Sequence, residues 1–159
     1  MDVLILYYSK SGNTKALAEE IAKGVESVDG VSALLKNTSE VTKDDFKNCA
    51  GIIAGSPVYF GVMAWDLKRV FDEFVGVRKQ MEGKVGAAFA TSADPTGGKE
   101  TTIMSIIQCL LIYGMVIAGD PMEATGHYGT ACVGKPDEKT ATNAQKLGKR
   151  VADLAKKLA

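Results

Sequence analysis

The chain of 159 residues is 46% hydrophobic, which is enough for the core of one ordinary domain, so we expect a single unit over residues 1–159. Lysine plus arginine and aspartate plus glutamate both number 19, so no net charge directs the chain to nucleic acid or to an anionic membrane surface. The apolar stretch SIIQCLLIYGMVIAG is too short and interrupted to span a membrane, and residues 1–10 lack the basic start of a signal peptide, so we predict a soluble, cytoplasmic protein.

Short apolar runs alternate with amphipathic segments along the chain. The runs are almost continuously hydrophobic, as parallel strands covered on both faces are, and they predict strands at 2–8, 31–36, 51–56, 84–91 and 115–119. Apolar residues at helical spacing predict helices around 17–28, 67–75, 103–111 and 147–158, and a short one at 42–48. This alternation predicts a doubly wound α/β domain with a five-stranded parallel sheet.

The segment 120–136 is rich in glycine and proline and is the least regular part of the chain. Within it, we interpret TACV at 130–133 as a short strand that continues the last one after an excursion.

The cysteines and the ends of the predicted strands exclude several chemistries. Cys49, Cys109 and Cys132 are far apart and form no CxxC pair, so neither a disulfide framework nor a metal cage is predicted. No cysteine is followed six residues later by arginine, which excludes a cysteine-dependent phosphatase. The first and third predicted strands end in YYS and GS, without the acids that a phosphate-accepting receiver domain needs.

The stretch SKSGNT at 9–14 lies between the first predicted strand and the first predicted helix. Helix N-termini present unpaired N–H groups and a partial positive charge, so they bind phosphate without requiring a lysine. The hydroxyl and amide side chains add hydrogen-bonding groups, and Gly12 permits close backbone approach. The same residue types cap helices, so for this loop alone a phosphate site and a simple cap are equal alternatives. The stretch matches neither GxxxxGK[ST] nor GxGxxG, which disfavours nucleoside triphosphates and Rossmann dinucleotides.

Two further loops follow the third and fourth predicted strands, at the edge where open α/β sheets bind ligands. In GSPVYFG at 55–61 we expect Pro57 to end the strand and Tyr59 and Phe60 to lie at the tip, where aromatic side chains suit a flat, stacked ring. Burial under a neighbouring loop is the favoured alternative for that loop alone. In TSADPTGG at 91–98, hydroxyls, an acid and two glycines precede the next helix. Together the three loops predict a site for a phosphorylated aromatic cofactor.

These motifs resemble the flavodoxin-like superfamily over essentially the whole chain. SKSGNT resembles the phosphate loop of flavodoxins, whereas GSPVYFGVMAWDLKRVFDEF and TGGKETTIMSIIQCLLIYGMVIAG resemble segments of flavodoxin-like NAD(P)H:quinone oxidoreductases. The resemblance implies the strand order 2-1-3-4-5, FMN as the cofactor and no metal. The FMN-binding residues it implies are Ser9, Lys10, Ser11, Gly12, Asn13, Thr14, Pro57, Val58, Tyr59, Phe60, Gly61, Ser92, Ala93, Asp94, Pro95, Thr96 and Gly97.

The resemblance also assigns roles within this set. Residues 9–14 would hold the phosphate, and the other two loops would line the two sides of the isoalloxazine ring. Asp94 is the candidate for lowering the reduction potential by its charge, and Gly61 for turning its carbonyl toward flavin N5. Tyr113 lies where the quinone reductases often carry a histidine near a neighbour's flavin. His127 is either a residue that approaches the ring or an exposed loop residue.

Two functions remain open at this point. The first and favoured one is an FMN-containing, low-potential electron carrier that exchanges electrons with redox proteins such as a ferredoxin or a flavin-dependent reductase. The short chain and the flavodoxin-type phosphate loop favour it, whereas the balanced charge disfavours it because many flavodoxins are acidic. The second is an NAD(P)H-dependent quinone oxidoreductase that works as a homo-oligomer. The last helix is locally basic, which indicates either a solvated face or a docking patch for an acidic partner.

Overall fold

A computed structural model describes the whole chain, residues 1–159, as a mostly parallel sheet with helices on both faces. The helices and strands are, in chain order, β1 (Asp2–Tyr7), α1 (Asn13–Glu26), β2 (Ser32–Asn37), α2 (Lys43–Asn48), β3 (Gly51–Tyr59), β4 (Val62–Met63), α3 (Trp65–Glu73), a 3-10 segment (Val75–Met81), β5 (Val85–Ser92), α4 (Lys99–Ile112), β6 (Val116–Ile117), β7 (Thr130–Val133) and α5 (Glu138–Leu158). No helix of this structure combines the length and the apolar character that crossing a membrane requires.

The strand order of the sheet is β2-β1-β3-β5-β6, which confirms the predicted order of five positions. All neighbours along this path are parallel, as right-handed crossovers through helices require. Two short strands extend the predicted five to seven. β4 pairs antiparallel with the end of β3, and β7 pairs parallel with β5.

The last position in the sheet is shared by β6 and β7. β6 pairs with Val85 and Gly86 at the start of β5, whereas β7 pairs with the Phe89–Ser92 end of the same strand. The chain leaves the sheet over residues 118–129 and returns to the same side of β5. The interpretation of TACV as a continuation of the last strand is therefore confirmed.

Two hydrophobic clusters cover the two faces of the sheet. Alternate residues of β1 enter different clusters, Val3 and Ile5 on the side of α1 and α5, and Leu4 and Leu6 on the side of α3 and α4. Helices α1 and α5 approach so closely that an added Cβ at Gly24 would overlap the backbone of α5. The sheet is thus buried on both sides, and its carboxyl edge carries the loops that the sequence singles out.

One predicted boundary is wrong, because Pro57 does not end the third strand and β3 continues to Tyr59. The N–H of Tyr8 donates to the carbonyl of Gly55 over 3.2 Å, so Gly55 faces β1. Pro57, two residues on, faces the same side, where β1 has already ended. No neighbouring strand has a carbonyl that would need an N–H donor at this position. The proline, which lacks that N–H, therefore does not disrupt the sheet.

Candidate functional site

The three predicted loops meet at the carboxyl edge of the sheet through one contact for each pair. Tyr8 and Tyr59 pack edge to face with ring centroids 6.3 Å apart, which joins the first loop to the second. The hydroxyls of Thr14 and Thr91 lie 2.7 Å apart and join the first loop to the third. An added Cβ at Gly98 would lie 3.1 Å from the Cα of Gly61, so the third loop packs closely on the second.

The first loop leaves free backbone donors at the start of α1. Ser9 Oγ accepts from the N–H groups of Gly12 and Lys15 over 3.1 and 3.2 Å, so it provides the cap. The N–H groups of Ser11, Asn13 and Thr14 reach no protein acceptor. A helix N-terminus with such donors binds an anion by hydrogen bonds and by the helix dipole. The cap provided by Ser9 therefore leaves these three backbone donors free for an anion.

Gly12 makes this arrangement possible. Its φ of 90° lies in the left-handed region, which residues other than glycine adopt only with strain. An added Cβ at this position would meet nothing within 4 Å. The space beside the Gly12 Cα is therefore open, and a group that approaches the start of α1 meets no side chain at this position.

The second loop is a two-residue hairpin rather than an open loop. Tyr59 pairs with Val62, and the intervening Phe60 and Gly61 both have positive φ, 52° and 79°, as in a type I′ turn. Val58 and Tyr59 therefore lie on a strand. Ser56 Oγ accepts from the N–H of Ala64 over 2.8 Å, which fixes the hairpin against the start of α3.

Phe60 at the hairpin tip is fully exposed, with 106% relative exposure, and Trp65 just beyond β4 is 69% exposed. These aromatic side chains make the rim of the site apolar on this side. A flat ring placed here would find aromatic surface, as the sequence predicts.

The third loop is a hydrogen-bonded turn around Asp94. The Asp94 carboxylate accepts from the N–H and the hydroxyl of Thr96 over 2.9 and 2.8 Å, and Ser92 Oγ donates to the Asp94 carbonyl over 2.7 Å. The two bonds from Thr96, first of all that of its N–H, hold the pKa of Asp94 below its usual range. The loop thus presents a fixed, ionised carboxylate next to the glycines that lead into α4.

Tyr113 lies outside this site. It is buried within an aromatic cluster with Phe46 and Phe71, and its hydroxyl donates to the Phe71 carbonyl over 2.6 Å. Burial raises the pKa of the phenol. Tyr113 is therefore a residue of the hydrophobic core.

His127 is exposed on the segment between β6 and β7. Its side chain lines a cavity with residues from α4, α5 and β7, and none of the predicted FMN-binding residues lines that cavity.

Three residues make contacts at the site that the sequence does not predict. Tyr8 belongs to the first predicted strand, and its ring packs edge to face against Tyr59. Gly98 provides the close contact with Gly61, for which the GG pair in TGGK was a usable signal. The sequence predicts Thr91 only as one hydroxyl of a polar loop. Its buried hydrogen bond to Thr14 joins segments that are too far apart in sequence for a local pattern to relate them.

Comparison with known proteins agrees with this geometry. The model of the family described as NADPH-dependent FMN reductase matches residues 1–129. The chain is 35% identical over 157 residues to a flavodoxin of Aquifex aeolicus, covering 95% of this chain and 85% of the relative. It is 32% identical to an NAD(P)H dehydrogenase (quinone) of Archaeoglobus fulgidus, covering 98% of each. The solved structure of a flavodoxin from the domain Archaea aligns with a TM-score of 0.81 at 28% identity, covering 98% of this chain and 99% of that one.

Proposed function

Because the chain belongs to the NADPH-dependent FMN reductase family within the flavodoxin-like superfamily, we propose that its three loops bind FMN and that it carries electrons at low potential between redox proteins. FMN is the cofactor of the relatives' families, and the bound flavin supplies the electron-transfer chemistry. The observation that supports the site is the group of free N–H donors at the start of α1, next to the left-handed Gly12.

The residues present fit FMN in charge and in shape. The amides of Ser11, Asn13 and Thr14 would hold the phosphate, with the hydroxyl of Ser9 free to donate as well. The hairpin would cover one side of the ring and the turn at 92–97 the other. Asp94 would disfavour negative charge on the ring and so lower its potential, since its own low pKa keeps it ionised at neutral pH. Gly61 can turn its carbonyl at little cost in backbone strain.

The quinone oxidoreductase is the second candidate. The quinone dehydrogenase relative matches over almost its whole length, and the matching family is described as NADPH-dependent. In this function the apolar rim formed by Phe60, Val62 and Trp65 would contact either the quinone or another copy in a homo-oligomer. As a carrier, the protein would instead present this rim to a ferredoxin or a flavin-dependent reductase.

We also propose that residues 1–159 form one cytoplasmic domain. One continuous sheet with a hydrophobic cluster on each face supports a single unit. The three free cysteines support a reducing compartment.

Titration and turnover separate the two functions. The purified chain is loaded with FMN, its two one-electron midpoint potentials are measured, and NADPH and a quinone are then added. The carrier predicts well-separated potentials, at least one of them low, and negligible steady-state NADPH oxidation. Fast quinone-dependent oxidation would reject a pure carrier in favour of the enzyme, and failure to bind FMN would reject both.

The phosphate loop is tested by substituting one of two similar glycines. Gly12→Val should weaken FMN binding by at least about a hundredfold, since the strained backbone of a β-branched residue displaces the amides at the helix start. Gly30→Val is the matched control, because Gly30 also has a left-handed φ, 78°, and open space but lies far from the loops.

Both variants should lose a similar amount of stability in urea unfolding. Fluorescence quenching of FMN measures the affinity. Equal FMN affinity in the two variants would refute the phosphate-loop assignment.

A further inference from the structure

A cavity of about 310 Å³ lies at the outer edge of β7 and contains none of the proposed FMN-binding residues. Glu100 and Ile103 of α4 line one side, and Thr140 and Asn143 of α5 line the other. Since α4 and α5 pack on opposite faces of the sheet, a cavity lined by both must lie beyond the edge strand. The excursion at 118–129 closes one end.

The backbone of β7 is open toward this cavity. The N–H of Gly134 donates to the carbonyl of Ser92 over 2.8 Å, so every second residue of β7, counting back from Gly134, faces β5. Ala131 and Val133 therefore direct their N–H and C=O groups outward, and no protein atom hydrogen-bonds to them. Ala131 lines the cavity. The edge thus offers a short row of unused donors and acceptors, the template for another strand.

The cavity also has an excess of negative charge. Asp120 is only 3% exposed, and its carboxylate accepts from the N–H and hydroxyl of Thr125 and from the N–H of His127. Neither Asp120 nor Glu100 forms an ion pair. The one lysine or arginine in the lining, Lys99, donates to the carbonyl of Pro95. A buried carboxylate without a cation favours a positively charged ligand.

A hydroxyl in the same lining is unused as well. Thr130 is 4% exposed, and its Oγ1 bonds no protein atom. A buried hydroxyl without a partner is uncommon in folded proteins. Thr130 therefore adds an unused hydroxyl to the carboxylates of Glu100 and Asp120 in the cavity lining.

We propose that the outer edge of β7 binds an extended, basic peptide segment of a partner protein. The peptide backbone pairs with Ala131 and Val133, and a lysine or arginine side chain enters the cavity toward Glu100 and Asp120. Main-chain bonds supply affinity in this mode, and the acidic cavity supplies selectivity for the basic side chain. A second copy is a poor occupant, because its apolar TACV strand brings no cation and its own acids would face those of the first copy.

The probe is the capped pentapeptide acetyl-TVKVT-amide, added to the FMN-loaded protein labelled with nitrogen-15. We expect the amide signals of Ala131 and Val133 to shift most and their hydrogen exchange to slow. A peptide with norleucine in place of lysine should bind about tenfold more weakly, the equivalent of one charged contact. A peptide methylated at its backbone nitrogens should not bind.

Two variants separate the backbone contribution from the charge. Ala131→Pro removes only an outward N–H, which an edge strand tolerates, and should weaken binding by at least about tenfold without loss of FMN. Ala131→Ser is its matched control and should bind like the parent chain. Glu100→Gln should weaken the lysine peptide several-fold and leave the norleucine peptide unchanged.

Three results would overturn the proposal. One is signal shifts confined to another surface. Another is unchanged binding to Ala131→Pro, which would indicate charge attraction alone. The third is protection of the same amides without peptide in a concentration-dependent dimer, which would assign the edge to a second copy. FMN retention is measured on every sample, so a failure of the FMN assignment is seen separately.

Discussion

At the scale of single residues, the hairpin tip combines backbone strain with exposure. Phe60 has a φ of 52° and is fully exposed. A residue with a Cβ in this region costs about 1–2 kcal/mol, and no packing within the chain offsets it. Such strain is typical of functional positions. This combination supports the proposal that the Phe60 ring serves binding rather than folding.

Replacing Phe60 should separate stability from binding. Phe60→Asn creates the Asn-Gly pair that type I′ turns prefer, so the free energy of unfolding of the FMN-free protein should rise by about 0.5–1 kcal/mol. FMN affinity should fall several-fold, because an aromatic surface beside the ring is lost. Urea unfolding and FMN fluorescence titration measure the two effects.

Phe60→Tyr is the control and should change neither quantity. If Phe60→Asn were less stable than the parent chain, backbone strain at Phe60 would be contradicted. If its FMN affinity were unchanged, Phe60 would not belong to the FMN site.

At the scale of elements, the start of α1 is tied to the end of β5 by Thr14 and Thr91. Their side chains are 1% and 3% exposed, and their hydroxyls bond each other over 2.7 Å. The Thr14 hydroxyl is thus engaged within the protein. Its backbone N–H is the group that remains free for a phosphate.

A double-mutant cycle measures this tie. Thr14→Val and Thr91→Val should each reduce the free energy of unfolding by about 1–2 kcal/mol, because each leaves a buried hydroxyl unpaired. The double variant should lose less than the sum of the two, by about 1 kcal/mol, since both partners are then removed. Urea unfolding gives the four values, and strict additivity would contradict the bond.

FMN affinity provides a second readout for the same variants. Thr14→Val should reduce it far less than Gly12→Val, because the backbone N–H persists. If Thr14→Val lost as much FMN affinity as Gly12→Val, the Thr14 hydroxyl would be assigned to the phosphate instead.

At the scale of the whole molecule, ionised carboxylates stabilise the pair of helices α1 and α5 on one face of the sheet. Glu20 of α1 accepts from Lys23 and from Gln145 of α5, over 2.6 and 2.8 Å. These bonds, with that of Lys23 the larger, lower the pKa of Glu20. The side-chain hydroxyl of Thr140 and then its N–H lower the pKa of Asp137, which caps α5.

Stability should therefore decrease in acid. A carboxyl with a lower pKa in the folded state binds protons more readily when unfolded, so its contribution is complete above its unfolded value and is lost as the pH falls through the folded value. We expect the free energy of unfolding to be level above about pH 5 and to decrease below about pH 4. Urea unfolding from pH 3 to 7 measures the profile.

The pH profile of one variant tests the source of the effect. Glu20→Gln should be less stable at neutral pH and should show a shallower decrease in acid. A profile parallel to that of the parent chain would assign the acid sensitivity to other groups.

The sequence by itself determined the alternation of strands and helices, the continuation of the last strand at TACV and the three polar loops, because periodicity and turn residues act over a few neighbours. The resemblance to flavodoxins added the strand order and the cofactor. Tertiary structure alone decided that β3 passes through Pro57, that Thr14 bonds Thr91 and that Tyr113 points into the core. It also decided that Ala131 faces an open edge. Each of these four features depends on which segment, distant in sequence, packs next to the residue. A pattern of neighbouring residues does not contain that information.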